Sequence, residues 1–183
     1  MKNFLVSVVV TTKNEAVNIA NLLKSVKLQD YKNIEIVVVD NNSVDDTKNI
    51  SKKYTNKIYN LGPERSFQRN FGVKKSKGDY VLILDADMVL SKDVISECVR
   101  LFIENQKVGG VVIPEKSYGE NFWAKTKSLE REVNRGEDYF EAARFFPKNI
   151  FNQFGGYDTT LTGPEDWDLP QRISKKYKIL RIN

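Results

Sequence analysis

Residues 80–87 read Tyr80-Val81-Leu82-Ile83-Leu84-Asp85-Ala86-Asp87, an apolar run that ends in two acids separated by one residue. A short, continuous apolar run of this kind predicts a strand over 80–84 that is buried on both faces. A carboxylate inside a sheet is costly unless paired or metal-bound, which puts both acids at the strand's carboxyl end. Side chains two apart on an extended chain point the same way. Hard oxygens so placed suit Mg²⁺ or Mn²⁺, ions that share their shell with substrate phosphates. Two solvated turn acids capping the following helix are the alternative.

Outward from this stretch, similar apolar runs alternate with helical patterns. Strands are expected over Leu5–Val10, broken only by Ser7, and over Ile34–Val39, Lys57–Leu61 and Val108–Ile113. Helices are expected over Ala16–Val26, Val44–Lys53, Phe67–Lys75 and Asp93–Ile103, with Ser43 and Ser91 as candidate N-caps. Later, Phe122–Val133 and Asp166–Lys175 read as helices, and Ala142–Phe146 and Lys178–Ile182 as strands. The alternation implies an α/β fold: an open, twisted, mainly parallel sheet flanked by helices on both faces. Without repeats or a linker, residues 1–183 read as one domain.

Composition narrows the chemistry. The 183 residues are 40% hydrophobic and 29% charged, a globular balance. No histidine is present, which removes histidine bases, His-dependent triads and His-ligated zinc. Acid–base work falls to carboxylates, Lys, Tyr or the lone Cys98. A single cysteine fits a reducing, cytoplasmic setting. The net charge of +5 is scattered, and no nucleic-acid motif accompanies it. The apolar start mimics a signal peptide but lacks a cleavage site, so it reads as a strand. No apolar run reaches the roughly 18 residues of a membrane span. No Gly-x-Gly-x-x-Gly follows a strand, which argues against a dehydrogenase.

In open α/β sheets, ligands sit beyond the carboxyl ends of the strands. Three polar clusters follow three such ends: Thr11-Thr12-Lys13-Asn14-Glu15, Asp40-Asn41-Asn42-Ser43 and Asp85-Ala86-Asp87. The first suits a base and ribose, or else caps the first helix. In the second, Asn41 offers a carbonyl and an amide that match a uracil edge, or else forms an Asx-turn. Arg65 and Arg69 lie four apart on one helix face, within reach of phosphates or simply exposed.

These motifs, with Pro63-Glu64-Arg65-Ser66-Phe67-Gln68-Arg69-Asn70-Phe71-Gly72, Gly155-Gly156-Tyr157-Asp158 and Gly163-Pro164-Glu165-Asp166-Trp167-Asp168-Leu169, resemble family 2 glycosyltransferases of the GT-A fold. The resemblance implies inverting transfer of a sugar from a nucleoside-diphosphate donor, a UDP-sugar by preference, to an acceptor hydroxyl. It implies a nucleotide half over about 1–90 and an acceptor half over about 91–183. The candidate donor residues are Thr11, Thr12, Asn14 and Glu15, then Asp40, Asn41 and Ser43, then Arg65, Arg69, Asp85 and Ala86. Asp87, with Asp85, would ligate Mn²⁺ or Mg²⁺, and Asp166 would be the catalytic base with Glu165 beside it. The acceptor would be a glycan or a lipid-linked sugar, with Phe122, Trp123, Tyr139 and Trp167 as candidates for its wall.

Three departures stand out. Lys13 replaces a frequent Tyr, Thr11 replaces a frequent Pro, and the late histidine ligand is missing. The expectation is a truncated catalytic core whose missing C-terminal part holds acceptor contacts or a membrane anchor at the cytoplasmic face. An inactive nucleotide-sugar-binding relative and a sugar-nucleotide nucleotidyltransferase are the alternatives. The second would want a glycine-rich phosphate loop after the first strand, and none follows Val10.

Overall fold

The computed structural model describes residues 3–115, 142–161 and 163–182. The first half alternates strands and helices: β1 Val6–Thr12, α1 Ile19–Lys27, β2 Ile34–Asp40, α2 Thr47–Ser51, β3 Ile58–Asn60, α3 Arg65–Lys75, β4 Tyr80–Asp85, α4 Val94–Glu104 and β5 Val108–Val112. After the undescribed stretch come β6 Ala143–Pro147, α5 Lys148–Gln153, α6 Glu165–Ser174 and β7 Lys178–Arg181. The expected helix over 122–133 and the aromatics Phe122, Trp123 and Tyr139 lie outside the described residues.

The strands form one seven-stranded sheet among the described residues, in the order β3-β2-β1-β4-β6-β5-β7. β1 pairs in parallel with β2 and β4, β2 with β3, and β5 with β7. The mainly parallel α/β architecture is therefore as the sequence implies. β1 is central, and its β-branched run is buried along its whole length. Val6, Val8 and Val10 face Ile19, Leu22 and Leu23 of α1 and Ile95, Cys98 and Val99 of α4. Val9, Val37 and Val39 face Val73 of α3 and Leu169 and Ile173 of α6. Two apolar layers thus cover opposite faces, as a sheet buried on both sides requires. Burial pushes the Cys98 thiol well above its ordinary range, so it sits in the core as an apolar group.

Three details differ from the sequence reading. β6 inserts antiparallel between β4 and β5, which the simple alternation would have made neighbours. Phe145 and Phe146 point to opposite faces of β6 and are fully buried, so only a central position covers both. Phe145 stacks on Tyr80 at 5.4 Å, and Phe146 meets Phe151 at 6.0 Å. The helix expected over 44–53 shrinks to α2, because Ser43 is occupied elsewhere: its hydroxyl donates to Asp40 at 2.5 Å and accepts the Asn14 N–H. Ser91 does not cap α4 with its hydroxyl. Its carbonyl instead accepts from the Gln29 amide at 2.6 Å, and Asp93 is the N-cap.

Candidate functional site

The strand register sets the site. Thr12 of β1 lies opposite Asp40 of β2, and Thr11 lies opposite Asp85 of β4. The three polar clusters therefore meet along one edge of the sheet. In the first two, most side chains hold one another. Asp40 is fully buried, with its two oxygens on the Ser43 N–H and hydroxyl. Asn14 adopts φ 54°, donates its N–H to Ser43 Oγ at 2.8 Å and accepts the Val44 N–H at 2.9 Å. A positive φ suits Asn, whose short side chain bonds locally. Glu15 donates its N–H to Thr47 and accepts from the Asn18 amide. Asn41 donates its N–H to the Thr12 carbonyl and its side-chain amide to the Pro63 carbonyl, both at 2.8 Å. The buried Thr12 hydroxyl has no hydrogen-bond partner among the described residues.

The third cluster is a buried ionic network. Asp85 accepts the Thr11 hydroxyl at 2.9 Å, and both its oxygens lie 3.2 Å from Arg69 Nη2. Arg144 of β6 approaches the same carboxylate at 3.6 Å and donates through Nε to Glu115 at 2.7 Å. Burial alone would raise the Asp85 pKa. Arg69, Arg144 and the Thr11 hydroxyl outweigh it and hold the carboxyl below its usual range. Arg69 is completely buried, and its Nη1 donates to Asp166 Oδ1 at 2.5 Å. Its guanidinium lies 5.2 Å from the centroid of the Tyr157 ring. Burial opposes the charge on Arg69, but the carboxylates of Asp85 and then Asp166 raise its pKa above the ordinary value. Burial also pushes the Tyr157 hydroxyl far up, keeping it protonated.

Glu165 and Asp166 open α6, and they differ sharply. Glu165 is buried and accepts the Gly163 N–H at 2.6 Å. The Asp166 side chain keeps 23% of its exposure, and among the described residues only its Oδ1 has a hydrogen-bond partner. Two clamps hold this region. Asn70 pairs with both the N–H and the carbonyl of Tyr157. Arg172 donates to Asp168 and to the carbonyls of Phe154 and Gly156. Gly156 adopts φ 70°, and a Cβ there would lie 2.5 Å from Asn70 Oδ1, so the turn admits only glycine.

The remaining expected site residues fall into two groups. Arg69 was expected on an exposed or phosphate-facing helix face, but it is buried under carboxylates. Arg65, one turn earlier, is exposed. Ala86 is buried, and Asp87 is exposed with no ion pair or hydrogen bond among the described residues. For a metal, Asp87 is thus the free hard-oxygen donor, while Asp85 is held by two guanidinium groups. Among the described residues no group of three or more His, Cys, Asp or Glu could hold an ion by itself. One free carboxylate fits a cation whose shell is otherwise phosphate and water. The sequence reading missed Arg144, Gln68 and Glu115. Gln68 donates to the carbonyls of Val39 and Thr12, joining β1 to β2. The one signal for Arg144 was a charge inside an otherwise apolar predicted strand, which demands a partner.

An open α/β sheet whose polar side chains gather at the carboxyl ends of its strands belongs to the class of folds that bind ligands at that edge. Within that class, the chain belongs to glycosyl transferase family 2, whose pattern matches residues 7–160. It is 30% identical over 200 residues to the GalNAc(5)-diNAcBac-PP-undecaprenol beta-1,3-glucosyltransferase of Campylobacter jejuni, covering 96% of this chain and 64% of that protein. It is 32% identical over 135 residues to the poly(ribitol-phosphate) beta-N-acetylglucosaminyltransferase TarS of Staphylococcus aureus, covering 62% of this chain and 23% of TarS. The chain therefore spans less than two thirds of these relatives. Its fold matches TarS 1–349 with a TM-score of 0.79 at 23% identity, over 97% of this chain and 58% of that one. It also matches the mannosyltransferase PcManGT of Pyrobaculum calidifontis, solved with GDP-Man and Mn²⁺, with a TM-score of 0.74 at 22% identity, over 100% and 55%. No helix among the described residues is long and apolar enough to cross a membrane.

Proposed function

We propose that this chain is the catalytic core of an inverting glycosyltransferase that moves a sugar from a nucleoside-diphosphate donor, UDP by preference, to an acceptor hydroxyl. The observation that carries this reading is the juxtaposition of Asp166 with the strand-end clusters, through Arg69 and Asp85. Donor contacts would come from Thr11, Thr12, Asn14, Glu15 and Asn41, with Asp40 and Ser43 shaping the loop behind them. The exposed Arg65 would reach the phosphates. TarS 1–349 has been solved with UDP and with UDP-GlcNAc, which supports a uridine donor.

Asp166 Oδ2 accepts the acceptor's hydroxyl proton as the acceptor oxygen attacks the anomeric carbon. The bond from that carbon to the diphosphate breaks, its electrons pass to the phosphate oxygen, and the configuration inverts. Glu165, whose carboxylate accepts the Gly163 N–H and lies 4.0 Å from Arg69 Nη1, shapes the turn that presents Asp166. Asp87 would hold a Mn²⁺ or Mg²⁺ ion against the donor phosphates, and when bound the ion neutralises charge on the leaving diphosphate. The Campylobacter relative acts on a lipid-linked sugar. A glycan or lipid-linked acceptor is proposed here too, which would place the protein at the cytoplasmic membrane face.

The test is Asp166→Asn. Release of UDP from UDP-GlcNAc or UDP-glucose should fall roughly 10²–10⁴-fold. UDP binding measured by calorimetry should persist. Undiminished turnover in the variant would remove Asp166 from the mechanism.

A further inference from the structure

Three consecutive side chains of α3 reach three different parts of the molecule. Gln68 donates to the carbonyl of Val39 at 2.9 Å and of Thr12 at 3.4 Å, at the ends of β2 and β1. Asn70 donates to the Tyr157 carbonyl at 2.8 Å and accepts its N–H at 2.9 Å. Arg69, between them, spans from Asp85 in the first half to Asp166 in the second. Residues 68 and 70 thus fix the helix against both halves, and residue 69 joins the acids that face each other across them.

We propose that Arg69 is a positioning residue for Asp166: its buried guanidinium holds Oδ1 and leaves Oδ2 as the one oxygen presented to the acceptor hydroxyl. This inference rests on the proposed role of Asp166 as the base. The geometry requires arginine. A planar guanidinium carries five donors in a fixed fork, so separate amino groups bind separate carboxylates. Here Nη2 takes both oxygens of Asp85 at 3.2 Å, and Nη1 takes Asp166 at 2.5 Å. A lysine ammonium is a point charge on a flexible stem and cannot hold both in register. The environment limits alternative poses, because the Arg69 side chain has no exposure and lies over the Tyr157 ring. Tyr157 is itself pinned by Asn70, so the base, its arginine and the floor beneath them are set by one helix. Arg69 also transmits the position of Asp85, a strand-end residue of the donor crevice, to the base.

The experiment is a double-mutant cycle on the full protein, with Arg69→Lys and Asp166→Asn made singly and together. Readouts are kcat and KM for release of UDP from UDP-GlcNAc and UDP-glucose and of GDP from GDP-mannose, and calorimetric UDP binding. Arg69→Lys should lower kcat roughly a hundredfold, the order that misplacement of a reacting group costs. UDP affinity should change far less. The combined variant should be no slower than Asp166→Asn alone, because Arg69 acts through Asp166. Multiplicative losses, or equal falls in kcat and UDP affinity, overturn the inference while leaving the base intact. Absence of turnover in the unmodified protein, or full turnover in Asp166→Asn, overturns the base and the inference together. If Arg69→Lys does not fold, Asp85→Asn replaces it in the cycle, since it weakens the other end of the same bridge. Non-multiplicative coupling of Asp85 to Asp166 is then expected, and independent effects overturn the proposal.

Discussion

Asp85 and Asp87 stand one residue apart in sequence and live in different electrostatic worlds. Asp85 lies between two guanidinium groups, which hold its pKa down against the opposing push of burial. A carboxylate whose folded pKa is depressed contributes stability above its unfolded value, near 3.9, and loses it as pH falls through the folded value. Asp85→Asn should therefore cost about 1–3 kcal/mol near neutral pH, the scale of a hydrogen bond to a charged group. The gap between variant and wild type should be smaller below about pH 3.9 than at neutral pH, and should narrow further as pH falls toward the lower folded value. Urea denaturation at neutral and acid pH measures it, and a gap undiminished in acid would show that charge is not what Asp85 contributes. Asp87 is exposed, so its loss should leave the fold alone and act on ligand binding. With UDP and Mn²⁺ near a hundred times Kd, wild type should gain roughly 5–10 °C in Tm. Asp87→Ala should abolish the part of that shift which depends on Mn²⁺; a shift equal to wild type would move the metal away from this residue.

At the scale of elements, α3 shows what a pattern can and cannot disclose. The Val and Ile runs over 5–10, 34–39 and 80–84 announced buried parallel strands, because continuous burial selects β-branched and aliphatic residues whatever their neighbours. The same logic placed the polar clusters at the strand ends. For α3, spacing correctly put Arg65 and Arg69 on one side of a helix. It could not disclose that Arg69 is buried, because its partners lie 16 and 97 residues away. The insertion of β6 was hidden for a similar reason: strand order depends on which faces the aromatics must cover, a long-range demand. Gly72 carries the consequence for packing. An alanine in a helix ordinarily gains about 1 kcal/mol over glycine. Here its Cβ would lie 2.3 Å from Val9 Cγ1, in the middle of the sheet. Gly72→Ala should therefore lose stability, by about 1–3 kcal/mol as overpacking does, seen as a lower urea midpoint. A gain would mean that α3 can lift from β1 without disturbing Arg69.

Across the whole molecule, the proposed donor site and the core are one object. β1, β2 and β4 pass through both apolar layers and end together at Thr12, Asp40 and Asp85. A nucleotide that touches all three ends binds only the folded chain, so its affinity appears as stability of the entire domain. This makes base preference readable from global unfolding. Asn41 spends its amide on the Pro63 carbonyl and its N–H on Thr12, which leaves its side-chain oxygen as the acceptor it can offer a base. Uracil carries an N–H at position 3 that can donate to such an oxygen. Cytosine has a lone pair there, which would be repelled. UDP should therefore raise Tm by several degrees more than CDP at equal concentration with Mn²⁺, a difference of about 1–3 kcal/mol for one hydrogen bond made against one acceptor left opposed. GDP and dTDP complete the panel: dTDP, which keeps the same N–H, should follow UDP, and GDP should fall below both if the loop between Asp40 and Ser43 excludes a purine. Equal shifts for UDP and CDP would show that Asn41 does not read the base, and the uridine preference would then need another residue.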